Sequence, residues 1–145
     1  GIETLPLRMD RTCENSLALA KFLQSHPKVE WVRYAGLPDH PDHALAQRQM
    51  GGRASGILSF GLKGSDADPR AAGARFLDAL DLFTRLVNIG DAKSLATHPA
   101  STTHRQLDAA EMAKAGVSEN MVRLSVGIEH IDDLQADLAQ ALDKV

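Results

Sequence analysis

Hydrophobic spacing predicts a long helix at each end of the chain. In the first segment apolar side chains recur every three or four residues, which places them on one helical stripe. The members of this stripe are Ile2, Leu5, Met9, Cys13, Leu17, Ala20 and Leu23. Pro6 lies near its start, and His26-Pro27 ends it. A closing helix is predicted by the same spacing at Ile131, Leu134, Leu138, Leu142 and Val145.

Between these ends, four short segments rich in β-forming residues predict strands. They are residues 29–34, Ile57–Leu62, 86–89 and 121–126. Residues 44–50 predict a brief helix. Another helix is predicted to begin at Asp68-Pro69, an N-cap acid followed by proline, and to carry Ala72, Phe76, Leu80 and Phe83 along one side. Residues 91–106 show no usable period, so a loop is predicted there.

This order of elements favours an α/β fold of the α+β sandwich type. In such a fold the helices pack on a small sheet, here mostly antiparallel or mixed. The chain has 145 residues and a mass of 15.6 kDa, which fits one domain. We therefore predict a single domain over residues 1–145.

Composition excludes several functional classes. Hydrophobic residues make up 43% of the chain, yet no apolar run approaches the roughly 20 residues of a membrane span. A net charge of −3 gives no cationic surplus for phosphates, and an aromatic content of 4% gives little surface for base stacking. The single cysteine fits a reducing cytoplasm. We expect a cytoplasmic protein without nucleic-acid or membrane partners.

Two residue groups suggest chemistry that the sequence does not complete. Pro38-Asp39-His40-Pro41-Asp42-His43 offers metal-ligand types, but no third cluster accompanies it, so a solvated loop without metal is predicted. Cys13 falls on the apolar stripe of the first helix. We therefore predict that it is a small buried hydrophobe and not a nucleophile.

Arg123 interrupts a predicted strand that otherwise consists of core residues. An arginine there is desolvated unless an anion meets it. One interpretation is a salt bridge to the chain's own Asp or Glu. The other is a ligand carboxylate or phosphate, which a guanidinium binds through two parallel hydrogen bonds.

The predicted loop over residues 91–104 is the second candidate. It concentrates hydroxyl groups, two histidines and a lysine between two core strands. It is either an ordinary polar connection or a binding loop held by the sheet. The sequence contains no glycine-rich phosphate loop and no Gly-x-Ser-x-Gly elbow, so no complete active site is predicted.

Two motifs carry a resemblance to a known family. Residues 88–104 read Asn-Ile-Gly-Asp-Ala-Lys-Ser-Leu-Ala-Thr-His-Pro-Ala-Ser-Thr-Thr-His, and residues 121–129 read Met-Val-Arg-Leu-Ser-Val-Gly-Ile-Glu. Together with Leu7-Arg8-Met9-Asp10-Arg11 and Glu14-Asn15-Ser16, they resemble the C-terminal part of the cysteine/methionine-metabolism family of pyridoxal-phosphate enzymes. The resemblance covers essentially the whole chain. The first motif is most similar to the family's sulfhydrylases.

The resemblance implies a fragment. It implies the C-terminal domain of a fold-type I enzyme, which closes the active site over the substrate. The family holds its cofactor in an N-terminal domain, on a lysine in a Ser-x-x-Thr-Lys setting that no lysine of this chain shares. The chain is thus expected to hold no pyridoxal phosphate, to contribute no catalytic residue and to be inactive alone. The implied partners are that N-terminal domain and further copies in a homo-oligomer, expected to be a tetramer.

The resemblance also implies roles for individual residues. Arg123 would bind the α-carboxylate of the amino-acid substrate, and Ser94 would help to hold that end in place. Leu95 and Lys93, which flank Ser94, are weaker substrate-binding candidates. The implied reaction replaces the acetate of O-acetylhomoserine with sulfide or a thiol and gives homocysteine or methionine.

Two alternatives stay open at this stage. The same domain could belong to a methionine γ-lyase or to a cystathionine γ-synthase or lyase, which would use Arg123 in the same way. A free-standing small-molecule-binding domain is a different class. It would bind an amino acid without cofactor or catalysis.

Overall fold

A computed structural model of the chain describes residues 1–63 and 68–145, with the backbone alone at residue 109. The described helices are α1 Leu5–Gln24, α2 His43–Met50, α3 Pro69–Asp78, α4 Ala109–Lys114 and α5 Ile131–Leu142. The described strands are β1 Val29–Arg33, β2 Ile57–Leu62, β3 Thr84–Arg85, β4 Leu95–Thr97 and β5 Met121–Ser125. A short 3-10 helix, Pro99–Ser101, follows β4. No helix in this described part is long and apolar enough to cross a bilayer.

The strands form one mixed sheet in the order β1-β2-β5-β4-β3. All neighbouring pairs are antiparallel except β3 and β4, which run parallel. The central pair is β2 with β5, where Leu58 lies opposite Leu124 and Ser59 opposite Arg123. The predicted α/β class with a small mixed sheet is confirmed.

One face of the sheet forms the hydrophobic core. Side chains alternate between the two faces along a strand, so Leu58, Phe60 and Leu62 point to the same side. The buried residues of α1, α3 and α5 join them in one cluster that includes Leu19, Phe76 and Leu138. These three helices therefore cover the same face. Residues of opposite parity in the strands lie on the other face, which we call the second face.

Helices are present at both ends of the chain as predicted, and the start of α3 is confirmed. The predicted apolar stripe of the first helix was wrong at its beginning, because Ile2 precedes α1 and is 81% exposed and Leu5 is 41% exposed. Asp68 caps α3 by accepting hydrogen bonds from the backbone N–H groups of Arg70 at 3.0 Å and Ala71 at 3.1 Å. The expected length of α3 was wrong, because the helix ends at Asp78, before Leu80 and Phe83.

Asp137 of α5 explains where α3 ends. Its carboxylate is only 5% exposed and accepts three backbone N–H groups from the turn after α3: Asp81 at 2.8 Å, and Leu82 and Phe83 at 2.9 Å each. These N–H groups are directed to α5 and so cannot continue the helix. The turn brings Phe83 into the core, 3% exposed, just before β3.

Two further expectations were wrong. Residues 86–89 form no strand. The strand is Thr84–Arg85, and the residues after it leave the sheet edge. The predicted loop over residues 91–106 contains β4 and the 3-10 helix. The sequence interpretation also missed α4, which begins with a capping box between Asp108 and Glu111.

Candidate functional site

Arg123 lies at the centre of the second face. Strand register places it opposite Ser59 of β2 and Thr97 of β4, and Arg33 of β1 lies opposite Ser59 on its other side. These residues form a polar row across the strands. Leu124, the next residue along β5, is fully buried on the core face. Arg123 therefore interrupts a strand of core residues because it belongs to the opposite face.

The guanidinium of Arg123 has most of its donors uncommitted. Among the described residues it donates one hydrogen bond, from Nη2 to the Asn88 carbonyl at 3.3 Å. No Asp or Glu oxygen within residues 1–63 and 68–145 forms an ion pair with it. A guanidinium has five N–H donors, so the geometry leaves a bidentate face for an anion. Of the two interpretations from sequence, the internal salt bridge does not form among these residues.

Residues 86–94 pass over the second face beside Arg123, and we call them the 86–94 segment. Three side chains of that face contact its backbone. Thr97 donates from Oγ1 to the Leu86 carbonyl at 3.2 Å, Arg123 contacts Asn88 as above, and Ser125 Oγ accepts from Gly90 N–H at 3.4 Å. The sheet therefore fixes the path of this segment next to the guanidinium.

Ser94 ends the segment and is completely buried. Its N–H donates to Glu129 Oε1 at 2.6 Å, and its hydroxyl donates to Glu129 Oε2 at 2.8 Å. The same hydroxyl oxygen accepts the N–H of Gly127 at 2.8 Å. The only hydroxyl proton of Ser94 is thus directed to Glu129, so the side chain holds the segment to the turn after β5.

Helix α1 holds that turn from the other side. Asn15 is 2% exposed, and its Nδ2 donates to the carbonyls of Gly127 at 3.1 Å and Glu129 at 2.9 Å. A Cβ on Gly127 would lie 2.3 Å from the Ala92 carbonyl oxygen, so only glycine permits this close approach. Ile128 N–H adds a hydrogen bond to the same carbonyl at 3.0 Å. The turn, α1 and the 86–94 segment are therefore fastened together.

Comparison with known proteins shows the family of the chain. The model of the Cys/Met metabolism PLP-dependent enzyme family matches residues 1–143. The chain belongs to this family. It is 52% identical over 142 residues to O-acetyl-L-homoserine sulfhydrylase 1 of Thermus thermophilus, covering 98% of this chain and 33% of that relative. It is 54% identical over 142 residues to L-methionine gamma-lyase of Pseudomonas deceptionensis, covering 98% of this chain and 34% of that relative.

A solved structure shares the fold of this family member. It is a crystal structure from Campylobacter jejuni, named as a candidate O-acetylhomoserine (thiol)-lyase and containing an N'-pyridoxyl-lysine-5'-monophosphate. The TM-score is 0.87 at 41% identity, covering 99% of this chain and 33% of that one. The chain thus spans about a third of the length of the relatives it matches. The resemblance inferred from the two motifs is confirmed.

The lysines of this family member do not fit a Schiff base with pyridoxal phosphate. Five of them are exposed: Lys21, Lys63, Lys93, Lys114 and Lys144. The half-buried one, Lys28, donates from Nζ to the carbonyl of Val145 at 2.6 Å. A Schiff-base lysine lies in a desolvated pocket, and none of these side chains does. We therefore assign none of these lysines to a Schiff base.

The structure places the remaining sequence candidates as follows. Lys93 is exposed, and Leu95 is 2% exposed on the second face opposite Ser125. Cys13 is buried as predicted, at 8% exposure. His40 and His43 make local contacts, to the Asp42 N–H and the Ala35 carbonyl. No group of three potential metal ligands is close enough to hold an ion in the part of the chain that the structure describes.

His98, in the predicted loop, is a fully buried structural residue. One ring nitrogen lies 2.9 Å from Ser101 Oγ and the other 2.8 Å from the Glu119 carbonyl. Burial lowers the pKa of His98 below its usual value, and the nearby positive charge of Arg70 acts in the same direction against the opposing hydrogen bond to Glu119. The ring is therefore held neutral between α3 and the end of β4.

Sequence reasoning missed Glu129, Gly127 and Asn15 as parts of the site. All three lie within the motifs that carry the family resemblance, but outside the strand that drew attention to Arg123. One signal in the sequence could have indicated Gly127 and Glu129. The second motif covers residues 121–129, whereas β5 ends at Ser125, so the motif includes residues that are not needed for the strand.

Proposed function

We propose that this chain is the C-terminal domain of a pyridoxal-phosphate-dependent sulfhydrylase and that its Arg123 binds the substrate α-carboxylate. The supporting observation is the guanidinium on the second face, which no described carboxylate neutralises and which donates to a single backbone carbonyl. A planar guanidinium binds a carboxylate through two parallel hydrogen bonds. Such a contact fixes both the position and the orientation of an amino acid.

We assign cofactor binding and substrate positioning to different domains of the protein. Pyridoxal phosphate carries the bond-breaking chemistry in enzymes of this kind, and the protein positions the substrate. Because no lysine here fits the cofactor, the domain that holds it lies in the other two thirds of the protein. This chain closes the site over the substrate and is inactive alone. The assembled protein is a cytoplasmic homo-oligomer, a tetramer in our proposal.

Within the site, the proposed roles differ in kind. Arg123 contacts the substrate. Ser94 is fully buried and its hydroxyl proton is directed to Glu129, so it acts by holding the 86–94 segment in place. Leu95, buried on the second face opposite Ser125, stays the weaker substrate-binding candidate. Lys93 is exposed beside it and is the candidate for contact with the distal end of the substrate.

The proposed reaction converts O-acetylhomoserine and sulfide into homocysteine and acetate, or into methionine when the nucleophile is methanethiol. A γ-lyase acting on methionine is the second candidate, because the relative of that name is 54% identical. The full-length protein should be assayed with O-acetylhomoserine plus sulfide and, separately, with methionine alone. Homocysteine formation supports the first candidate, whereas release of thiol from methionine at a higher kcat/KM supports the second.

Replacement of Arg123 by lysine tests the carboxylate role in either case. Lysine keeps the charge but loses the bidentate geometry, so we expect KM for the amino-acid substrate to rise about 10- to 100-fold. Arg33→Lys is the matched control, since Arg33 also lies on the second face but is directed over the Trp31 ring, 4.9 Å from its centroid. Unchanged KM in Arg123→Lys would show that another residue binds the carboxylate.

A further inference from the structure

The carboxylate of Glu129 fastens the C-terminal end of the 86–94 segment. It accepts the Ser94 N–H at 2.6 Å and the Ser94 hydroxyl at 2.8 Å. Glu129 is half-buried, and its own backbone carbonyl is held by Asn15 at 2.9 Å. Hydrogen bonds to a charged acceptor are about twice as strong as neutral ones. The segment is therefore attached at this end by two strong bonds.

The same segment carries the carbonyl that orients Arg123. Asn88 accepts the Nη2 hydrogen bond. Between Asn88 and Ser94, the Gly90 N–H contacts Ser125 Oγ of β5 at 3.4 Å, and the Ala92 carbonyl accepts the Ile128 N–H at 3.0 Å. Gly90 itself adopts a positive φ of 80°, a conformation that favours glycine. The C-terminal half of this stretch is thus held by the turn that contains Glu129, at Ala92 and at Ser94, and the position of Asn88 depends on how firmly that turn holds it.

We propose that Glu129 is a positioning residue for substrate carboxylate binding. It acts through Ser94 and the Asn88 carbonyl on the guanidinium of Arg123, and it does not touch the substrate. This inference rests on the proposed role of Arg123. It assigns to Glu129 a part in substrate affinity that is separate from any contribution to the stability of the fold.

Glu129→Gln is the informative substitution because it keeps the shape and reverses one hydrogen bond. If the glutamine oxygen keeps the Ser94 N–H, its NH₂ group must face the Ser94 hydroxyl, whose oxygen already accepts from Gly127 at 2.8 Å. The buried hydroxyl proton then loses its acceptor. If the amide is flipped, two N–H groups face each other. Either arrangement leaves one donor at Ser94, the hydroxyl proton or the N–H, without its acceptor.

The experiment uses the full-length protein and two competitive inhibitors. L-Norvaline has a carboxylate, and n-butylamine has the same side chain without it. For Glu129→Gln we expect the inhibition constant of norvaline and the substrate KM to rise about tenfold, with kcat changed less than about threefold and the butylamine constant unchanged. Hydrogen exchange should increase at the amides of residues 88–94. Asp137→Asn is the control. It replaces another buried carboxylate by an amide and should lower Tm without changing either inhibition constant.

A double-mutant cycle with Arg123→Lys separates the two proposals. If Glu129 acts through Arg123, adding Glu129→Gln to Arg123→Lys should raise the norvaline constant less than about twofold further. The role of Glu129 would be overturned if Glu129→Gln weakened the binding of norvaline and butylamine equally or weakened neither. It would also be overturned if the effects of the two substitutions on the norvaline constant were fully additive. If Arg123→Lys alone leaves norvaline binding unchanged, the role of Arg123 itself is wrong. If the glutamine variant does not fold, Glu129→Asp replaces it. We expect it, too, to raise the inhibition constant of norvaline and to leave that of butylamine unchanged.

Discussion

Removal of the Asp137 carboxylate should destabilise the fold strongly. Asp137 is 5% exposed and accepts N–H groups from Asp81, Leu82 and Phe83, with a fourth donor in the Gln140 amide at 3.0 Å. In Asp137→Ala the Phe83 N–H stays buried without a partner, which costs about 1–3 kcal/mol, and two charge-assisted bonds are exchanged for water at about 1 kcal/mol each. We therefore expect the free energy of unfolding to fall by about 3–5 kcal/mol.

The pH dependence of this contribution has a definite sign. Burial alone would raise the pKa of Asp137, but the backbone donors and Gln140 outweigh it and lower the pKa below its usual value. The unfolded chain then binds the proton more tightly, so the stabilisation is present above the unfolded pKa of about 3.9 and is lost as pH falls through the folded pKa. The difference in the free energy of unfolding between wild type and Asp137→Ala should be constant from pH 7 to about pH 5 and should decrease at lower pH.

Equilibrium urea unfolding of the chain and its variants measures both effects. Asp78→Ala is the matched control, because that carboxylate is 69% exposed in its ion pair with Arg85 and should cost less than about 1 kcal/mol. A loss below about 1 kcal/mol in Asp137→Ala at pH 7 would refute the reasoning. So would a difference that stays constant down to pH 2, because it could not then depend on the ionised carboxylate.

Three other substitutions test the packing. In Gly73→Ala the new Cβ would lie 2.2 Å from His98 Nε2, so we expect a Tm decrease corresponding to about 1–3 kcal/mol, measured by thermal unfolding. A cost below 0.5 kcal/mol would show that the ring can move. Since burial lowers the pKa of His98, the chain should lose stability as pH falls below about 6.5, and His98→Gln should remove that slope in urea titrations. Gly127→Ala should raise hydrogen exchange in residues 88–94, because its Cβ would meet the Ala92 carbonyl; unchanged exchange would contradict the close approach.

The sequence predicts the existence of α1 and α5 well, because each repeats its apolar period over three or more turns. It predicts the buried face of α1 less well, because that face includes the polar residues Thr12, Asn15 and Ser16. Short elements depend on tertiary contacts and are predicted poorly. Residues 86–89 have the composition of a strand, yet Leu86, Val87 and Ile89 are 50%, 55% and 64% exposed as the chain leaves the sheet edge. β4 has three residues, too few for a period to appear. The start of α4 has a local signal, because Asp108 and Glu111 have the spacing of a capping box.

For the candidate site, the sequence indicates the ligand-binding residue better than its support. Arg123 is conspicuous because a charge interrupts an apolar strand. The Ser94 to Glu129 contact joins residues far apart in the chain, and neither residue is unusual in its local setting. Only the fold brings them together, so local pattern could not predict that pair.

The strand order has a consequence for how this chain acquires its structure. The central strands β2 and β5 are separated in sequence by α3, β3, β4 and α4, so their pairing is strongly non-local. Until β5 has been synthesised, β1-β2 and β3-β4 have no strand to join them, and one edge of β2 and one of β4 stay unpaired. Unpaired edges of this kind invite aggregation. A truncation before Met121 should therefore yield an insoluble product, since the last strand to leave the ribosome is the one that completes the middle of the sheet.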